Sequence, residues 1–253
     1  MKIAIVTGAS AGMGREFVKA IDREYSLDEI WIVARRGDRL EALRSGCRTP
    51  LRPLSLDLTV PGNREALRTL LEAEKPELSL LVNAAGYGLF GTFSDMGYAE
   101  QLGMIDLNVT ALTAVCHICL PYLHRGSSIV NLASNASWQP VPYMNVYAAS
   151  KAYVLSFSRA LGRELKPRGV HVMSVCPFWV QTEFFDTAVR DDTITYYNHI
   201  YRPEEVIRQA MKDLRRRRRV SICGLQVKLQ VLAVKLLPVG FVMNTWCRQQ
   251  KKP

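Results

Sequence analysis

No acidic residue lies between Leu214 and Pro253, although ten of the 33 lysines and arginines do. The preceding 213 residues therefore hold all 23 acids against an equal number of bases. That asymmetry argues against a uniformly basic nucleic-acid binder and leaves a neutral body with a basic tail. Cysteine is sparse: six in 253 residues is too few for a disulfide scaffold. The first apolar run, Ile3 to Val6, is too short for a signal peptide. A later one, Leu229–Met243, is interrupted by Gln230, Lys235, Pro238 and Gly240. It falls short of the roughly 20 residues that a membrane-spanning helix needs. Internal repeats and low-complexity linkers are missing as well. These absences lead us to expect a reducing, cytoplasmic protein. With 48% hydrophobic and 22% charged residues the chain is not of the disordered class.

What is present is an alternation of short apolar runs with longer amphipathic ones. Ile3–Thr7, Ile30–Ala34, Leu54–Leu56, Leu78–Asn83, Ser128–Leu132, His171–Cys176 and Val220–Cys223 read as strands. Most lack polar alternation, as strands buried on both faces do. Helical periodicity falls on Gly14–Glu24, Asp38–Arg44, Arg64–Glu74, Tyr98–Leu123, Tyr147–Leu165 and Pro203–Leu214. The pattern predicts an α/β fold, a doubly wound parallel sheet of about seven strands with helices on both faces. We expect one domain over residues 1–224, with 183–202 as an irregular insertion and 225–253 as an appended basic amphipathic tail.

The first strand runs into Thr7-Gly8-Ala9-Ser10-Ala11-Gly12-Met13-Gly14, and a helical pattern follows at once. Glycine lets backbone turn tightly against a ligand, and a helix N-terminus offers free N–H groups to a pyrophosphate. The position after a first strand points to a dinucleotide. The second strand ends in Ala34-Arg35-Arg36, with no acid to accept from a ribose 2′-hydroxyl. Arginine's planar donor fork suits a 2′-phosphate, which favours NADP(H) over NAD(H).

Tyr147 and Lys151 stand four residues apart, on one face if the segment is helical. A neighbouring ammonium favours the phenolate and predicts a lowered tyrosine pKa. Such a tyrosine can exchange a proton with a carbonyl or alcohol oxygen. Ser134, just beyond the strand Ser128–Leu132, is placed to hydrogen-bond the same oxygen.

With these motifs the chain resembles the short-chain dehydrogenase/reductase family from about Met1 to Thr182. The resemblance rests on TGASAGMG, on Asn83-Ala84-Ala85-Gly86, on Asn108 in DLNVTA, on Ser134, and on Tyr147 to Lys151 in YAASK. It implies a Rossmann fold and a tetrad of Asn108, Ser134, Tyr147 and Lys151. In the family the tyrosine is the general acid/base and the serine polarises the substrate oxygen. The lysine lowers the tyrosine pKa and holds the nicotinamide ribose, and the asparagine orders a water. The resemblance also implies cofactor contacts from Gly8, Ser10, Gly12, Met13 and Gly14, from Asp57 and Leu58, and from Asn83, Ala84, Ala85 and Gly86. Further contacts are implied for Pro177, Val180 and Thr182; where the family usually has glycine, this chain has Phe178. A homodimer or homotetramer is implied by the resemblance alone.

Glu183–Tyr201 carries Phe184, Phe185, Tyr196, Tyr197 and Tyr201, a lid region in the family. With Trp138, Tyr143, Phe178 and Trp179 nearby, it suggests a steroid-, lipid- or aromatic-like carbonyl or alcohol. In the tail, Leu225, Leu229, Leu232 and Leu236 share one helical face, with Lys228 and Lys235 on another. That tail can cap the pocket, join a subunit interface or touch an anionic membrane surface, and the sequence leaves these open. Arg215–Arg219 reads as a solvated helix end, not a nucleic-acid site. Cys116 and Cys119 lack a second cysteine pair and read as buried thiols; we expect no metal site. The leading reading is an NADP(H)-dependent oxidoreductase. Its rivals are a non-catalytic NADP(H) sensor or scaffold, against which the Tyr147/Lys151 pair argues, and a peripheral membrane protein acting through its tail.

Overall fold

A computed structural model describes all 253 residues. Seven parallel strands form the main sheet, in the order β3-β2-β1-β4-β5-β6-β9. They are β1 Lys2–Thr7, β2 Glu29–Ala34, β3 Leu51–Ser55, β4 Glu77–Asn83, β5 Leu123–Leu132, β6 His171–Val175 and β9 Val220–Ser221. The expected doubly wound sheet is present. Successive residues of each strand point to opposite faces, so both faces need apolar side chains. Ile3 and Ile5 of β1 join Trp31, Val33, Leu67, Leu71, Val115 and Val154 on one side. Ala4 and Val6 join Ile30, Ile32, Phe17, Ile21, Val206 and Met211 on the other.

Three helical stretches cover the first face: α3 (Pro61–Glu74), the run from α4 (Tyr98–Ile105) through a π-helical turn (Asp106–Ala111) to α5 (Leu112–Cys119), and α6 (Asn145–Glu164). The second face is covered by α1 (Gly12–Glu24), α2 (Gly37–Leu43) and α8 (Pro203–Arg215). Strand order reverses between β1 and β4, and a ligand crevice forms beyond the strand C-termini at such a switch point.

Several boundaries differ from the sequence expectation. β3 begins at Leu51 rather than Leu54, because Arg52 and Pro53 mask the strand pattern. As the sheet's edge, β3 tolerates the proline's missing N–H. β5 reaches back to Leu123 through polar His124, Arg125 and Gly126, and β9 is only two residues long. Tyr98–Tyr122, not Leu229–Met243, is the helical run long and apolar enough by composition to cross a membrane. Here Met104, Ala111, Val115, Cys116 and Cys119 of that run are buried in the body.

The insertion after residue 182 is less irregular than expected. It holds α7 (Phe184–Ala188) and β8 (Ile200–Tyr201), which pairs with β7 (Trp179–Val180) in a small second sheet. The tail forms two helices, α9 (Leu225–Leu236) and α10 (Val239–Gln249), separated at Leu237-Pro238.

Candidate active site

A cleft of about 950 Å³ opens at the switch point. One wall is the β1–α1 loop. Gly8 holds φ +68, and a Cβ there would lie 2.7 Å from the Ala85 nitrogen, so only glycine lets the loop pack on the end of β4. α1 starts with no acid in its first turn and no side chain capping it. Its N-terminal amides are thus free for an anion, which suits a pyrophosphate. Gly12 lies against the Thr182 side chain, which brings the loop next to the start of the lid. The implied cofactor residues Gly8, Ser10, Gly12, Met13 and Gly14 all line the cleft, as do Ala84, Ala85, Gly86, Pro177, Val180 and Thr182.

At the end of β2, Arg36 donates to the Ser10 Oγ from Nε at 3.3 Å and Nη2 at 3.1 Å. Its Nη1 also meets Glu183 at 2.8 Å, and Arg39 Nη1 meets the same carboxylate at 2.7 Å. Both guanidiniums hold the Glu183 carboxyl below its usual range. Arg35 lies 4.0 Å from Asp57, which also accepts from the Thr59 amide and hydroxyl. Burial alone would raise the Asp57 carboxyl; the Thr59 hydrogen bonds and Arg35 keep it lowered. Asp57 and Leu58 line the cleft. Asn83 does not: its Nδ2 donates to Asn131 Oδ1 at 2.9 Å and to Cys116 Sγ at 3.2 Å, inside the body. An alternating strand sends Asn83 inward and leaves Ala84 to Gly86 at the cleft.

Ser134, Tyr147 and Lys151 meet at the centre. Ser134 caps a short turn and accepts from the Ala136 amide at 3.1 Å. Its own amide donates to Ser137 Oγ, which donates onward to the Lys151 carbonyl at 2.8 Å. This ties the serine to α6, the helix that carries the other two residues. Tyr147 is buried beside Ser134, whose side chain favours its charged form. Lys151 Nζ sits 5.8 Å from the Tyr147 ring centre and donates to the Leu132 carbonyl at 2.9 Å.

The electrostatics differ from the expectation of a lowered tyrosine. Burial pushes the Tyr147 phenol up to about 12, and the Ser134 hydrogen bond only partly opposes it. Burial also lowers the Lys151 ammonium to about 8. Desolvation disfavours both charged forms and outweighs the helical proximity of the pair.

Asn108 is fully buried on the π-helical turn. Its Nδ2 donates to the Tyr87 carbonyl at 2.8 Å and to Ser150 Oγ at 3.0 Å, while Oδ1 accepts from the Tyr87 amide at 3.1 Å. Ser150 in turn donates to the Tyr147 carbonyl. A Cβ on Gly86 would lie 2.8 Å from Asn108 Oδ1 and 3.2 Å from Lys151 Nζ, so this glycine backbone separates the two polar groups. Asn108 therefore stands behind the cleft, not on its lining.

The outer part of the cleft is aromatic. Trp179 packs against Tyr197 at 5.0 Å, Phe90 and Phe185 at 5.9 Å, and Trp246 at 6.5 Å between ring centres. Phe184 leans on Tyr147 at 5.5 Å. Phe178 lines the cleft where the family usually has glycine. Trp138 does not contribute: Arg159 and Lys235 stack on its ring. Sequence reading missed Glu183 and Arg39 and the supporting Ser137 and Ser150; of the alternatives it left open for the tail, capping the pocket is the one seen, with Gln226, Gln230, Ala233, Phe241 and Trp246 in the lining. α10 is fastened there by Trp246, which donates to the Pro142 carbonyl, and by buried Gln250, which accepts from the amides of Thr195 and Tyr196. Cys116 and Cys119 are buried in the core, and burial raises both thiols.

A family model described as short chain dehydrogenase matches residues 2–193. The chain is 33% identical over 183 residues to an uncharacterised oxidoreductase of Staphylococcus epidermidis, covering 72% of this chain and 79% of that one. It is 36% identical over 191 residues to sulfoacetaldehyde reductase 2 of Chromohalobacter salexigens, covering 72% and 74%. A short-chain dehydrogenase from Sphingobium yanoikuyae, solved in complex with NADPH, superimposes with a TM-score of 0.81 at 29% identity, covering 93% of this chain and 92% of that one.

Proposed function

The chain belongs to the short-chain dehydrogenase family, an enzyme of that type, and on that premise we propose an NADP(H)-dependent oxidoreductase. In this reading it interconverts a carbonyl and a secondary alcohol on a bulky, apolar substrate. The observation that carries the reading is Tyr147, buried beside Ser134 and Lys151 where all three line the cleft between the glycine loop and the aromatic wall. Preference for NADP(H) is supported by Arg35 and Arg36 at the end of β2, with Arg36 already on Ser10 of the loop. The Sphingobium relative's complex with NADPH agrees with that preference.

When bound, the reduced nicotinamide supplies a hydride to the carbonyl carbon. The protein's residues do the rest. Tyr147, kept protonated by burial, gives its proton to the carbonyl oxygen during reduction and takes one back during oxidation. Ser134 accepts from the Ala136 amide, which leaves its hydroxyl hydrogen for the same oxygen. Lys151 would hold the nicotinamide ribose of a bound cofactor and, when protonated, favours the phenolate. Asn108 acts as a positioning residue, joining the Tyr87 backbone to Ser150 and so to Tyr147. Glu183 lies across the cofactor groove on Arg36 and Arg39, and a 2′-phosphate would compete with it for those donors. The aromatic wall of Trp179, Phe184, Phe185 and Trp246 excludes water and selects bulk.

The test is NADPH absorbance against a panel of steroid, aryl and long-chain acyl ketones. The reading expects turnover of at least one bulky apolar ketone, with NADPH more efficient than NADH. Failure across the panel, or an NADH preference, would overturn the substrate or cofactor assignment respectively. By the same family reasoning the enzyme assembles as a dimer or tetramer, which light scattering measures.

A further inference from the structure

α9 carries a second apolar face that the fold does not use. Its inward face is Val227 and Val231, both buried against the body. On the outside, Leu225, Leu229, Leu232 and Leu236 are exposed at 73%, 58%, 54% and 76%. At about 100° per residue these four leucines fall within one narrow stripe. Leu237, Val239 and Phe241 extend the exposed apolar surface into α10. Lys228 and Lys235 run along one flank of the stripe. Gln226, Gln230 and Ala233 lie on the opposite flank and line the cleft. Leu237 and Phe241 belong to both surfaces, being exposed and also part of the cleft lining. The apolar stripe thus continues into the cleft.

We propose that the outer face of α9 and the start of α10 docks on an anionic lipid surface, holding the outer end of the cleft at the membrane interface. Seven exposed large apolar side chains along one surface, Leu225, Leu229, Leu232, Leu236, Leu237, Val239 and Phe241, mark an interaction site. The charge pattern selects its occupant. α9, α10 and the last four residues carry Lys228, Lys235, Arg248, Lys251 and Lys252 and no acid. A second copy of the helix, packed antiparallel and stripe to stripe, would bring both copies' Lys228 and Lys235 along one shared edge with no α9 carboxylate to pair them. Anionic headgroups complement Lys228 and the acid-free basic tail, Lys235 resting on the Trp138 ring, while the leucines enter the acyl boundary. An apolar molecule could then pass from bilayer to cleft along Leu237 and Phe241 without crossing bulk water. The inference stands apart from the oxidoreductase reading, because docking is read without turnover.

The experiment is co-sedimentation of the full chain with phosphatidylcholine vesicles, with and without phosphatidylglycerol. Binding is expected to the anionic vesicles, to weaken with salt, and to be weak on phosphatidylcholine alone. Replacing Lys228 with glutamine should lower the partition coefficient about fivefold. The quadruple variant L225S/L229S/L232S/L236S should lose vesicle binding while keeping NADPH binding, melting temperature and solution mass. Two results would overturn the proposal: no sedimentation of the full chain with anionic vesicles, or undiminished sedimentation of the leucine variant. A third would assign the stripe to a second copy instead: a smaller solution mass for the leucine variant than for the unaltered chain.

Discussion

The two ends of the cleft are built on different principles. At the inner end, polar groups are held one by one. Ser134 is tied to α6 through Ser137, Lys151 to the Leu132 carbonyl, and Asn108 to Tyr87 and Ser150. At the outer end, aromatic rings from the β4–α4 loop, the lid and α10 lean on one another, and few hydrogen bonds fix them. The inner end supports chemistry that needs exact placement of a proton, and the outer end supports recognition that needs only shape and dryness. Mutations at the two ends should therefore separate into effects on rate and effects on substrate capture.

The sharpest separation is expected from Tyr147→Phe. Loss of the proton donor should lower kcat by about a hundred- to ten-thousandfold, with NADPH binding by fluorescence unchanged. A variant that instead raised only KM would erase the distinction between the ends.

Lys151→Met should also lower kcat, and it carries a stability check. The folded-state ammonium titrates near 8, below its unfolded value, so between pH 8 and about 10.4 the unfolded chain binds more protons. The lysine's contribution to stability therefore rises with pH across that window. The melting temperature of the unaltered protein, relative to Lys151→Met, should rise there; a flat difference would contradict the buried ammonium.

At the outer end, Trp246→Ala removes a ring that packs on Trp179 and fastens α10 to the Pro142 carbonyl. KM for a bulky ketone should rise about ten- to a hundredfold with little change in NADPH affinity. Equal losses in both would show that α10 supports the cofactor end as well.

The smallest effects belong to the groove at the end of β2, where Arg36 meets Ser10 and Glu183. Arg36→Ala should reduce the preference for NADPH over NADH by roughly tenfold, as loss of a charge-assisted hydrogen bond does. Glu183→Gln should tighten NADPH a few-fold and leave NADH unchanged, since an exposed ion pair is worth about 0–1 kcal/mol. Identical shifts for both cofactors would place Glu183 outside the 2′-phosphate region.

The same contrast explains what was legible in the sequence. The inner end is written in local patterns: a glycine loop directly after β1, two arginines ending β2, and Tyr147 and Lys151 one helical turn apart. Each is readable because its parts are near in sequence and its spacing has a steric cause. Asn83 shares that local pattern, yet strand alternation turns its side chain into the body. The direction of the Tyr147 shift was not legible, because spacing reports the neighbouring charge and not the burial that outweighs it. The outer end joins distant pieces. Arg39 and Glu183 are 144 residues apart, and Thr195 meets Gln250 across 55. α9 hides its role further, because it is apolar on two faces and its leucines, the stronger sequence signal, are the ones that face outward.

The central claim is that hydride transfer occurs beside Tyr147. It is tested most directly by supplying a bulky apolar ketone with NADPH deuterated at the transferring C4 position and analysing the product alcohol by mass spectrometry. The account predicts one deuterium on the carbinol carbon, formed at a rate that collapses in Tyr147→Phe. Alcohol formed without deuterium at that carbon, or at an undiminished rate in the phenylalanine variant, would contradict it.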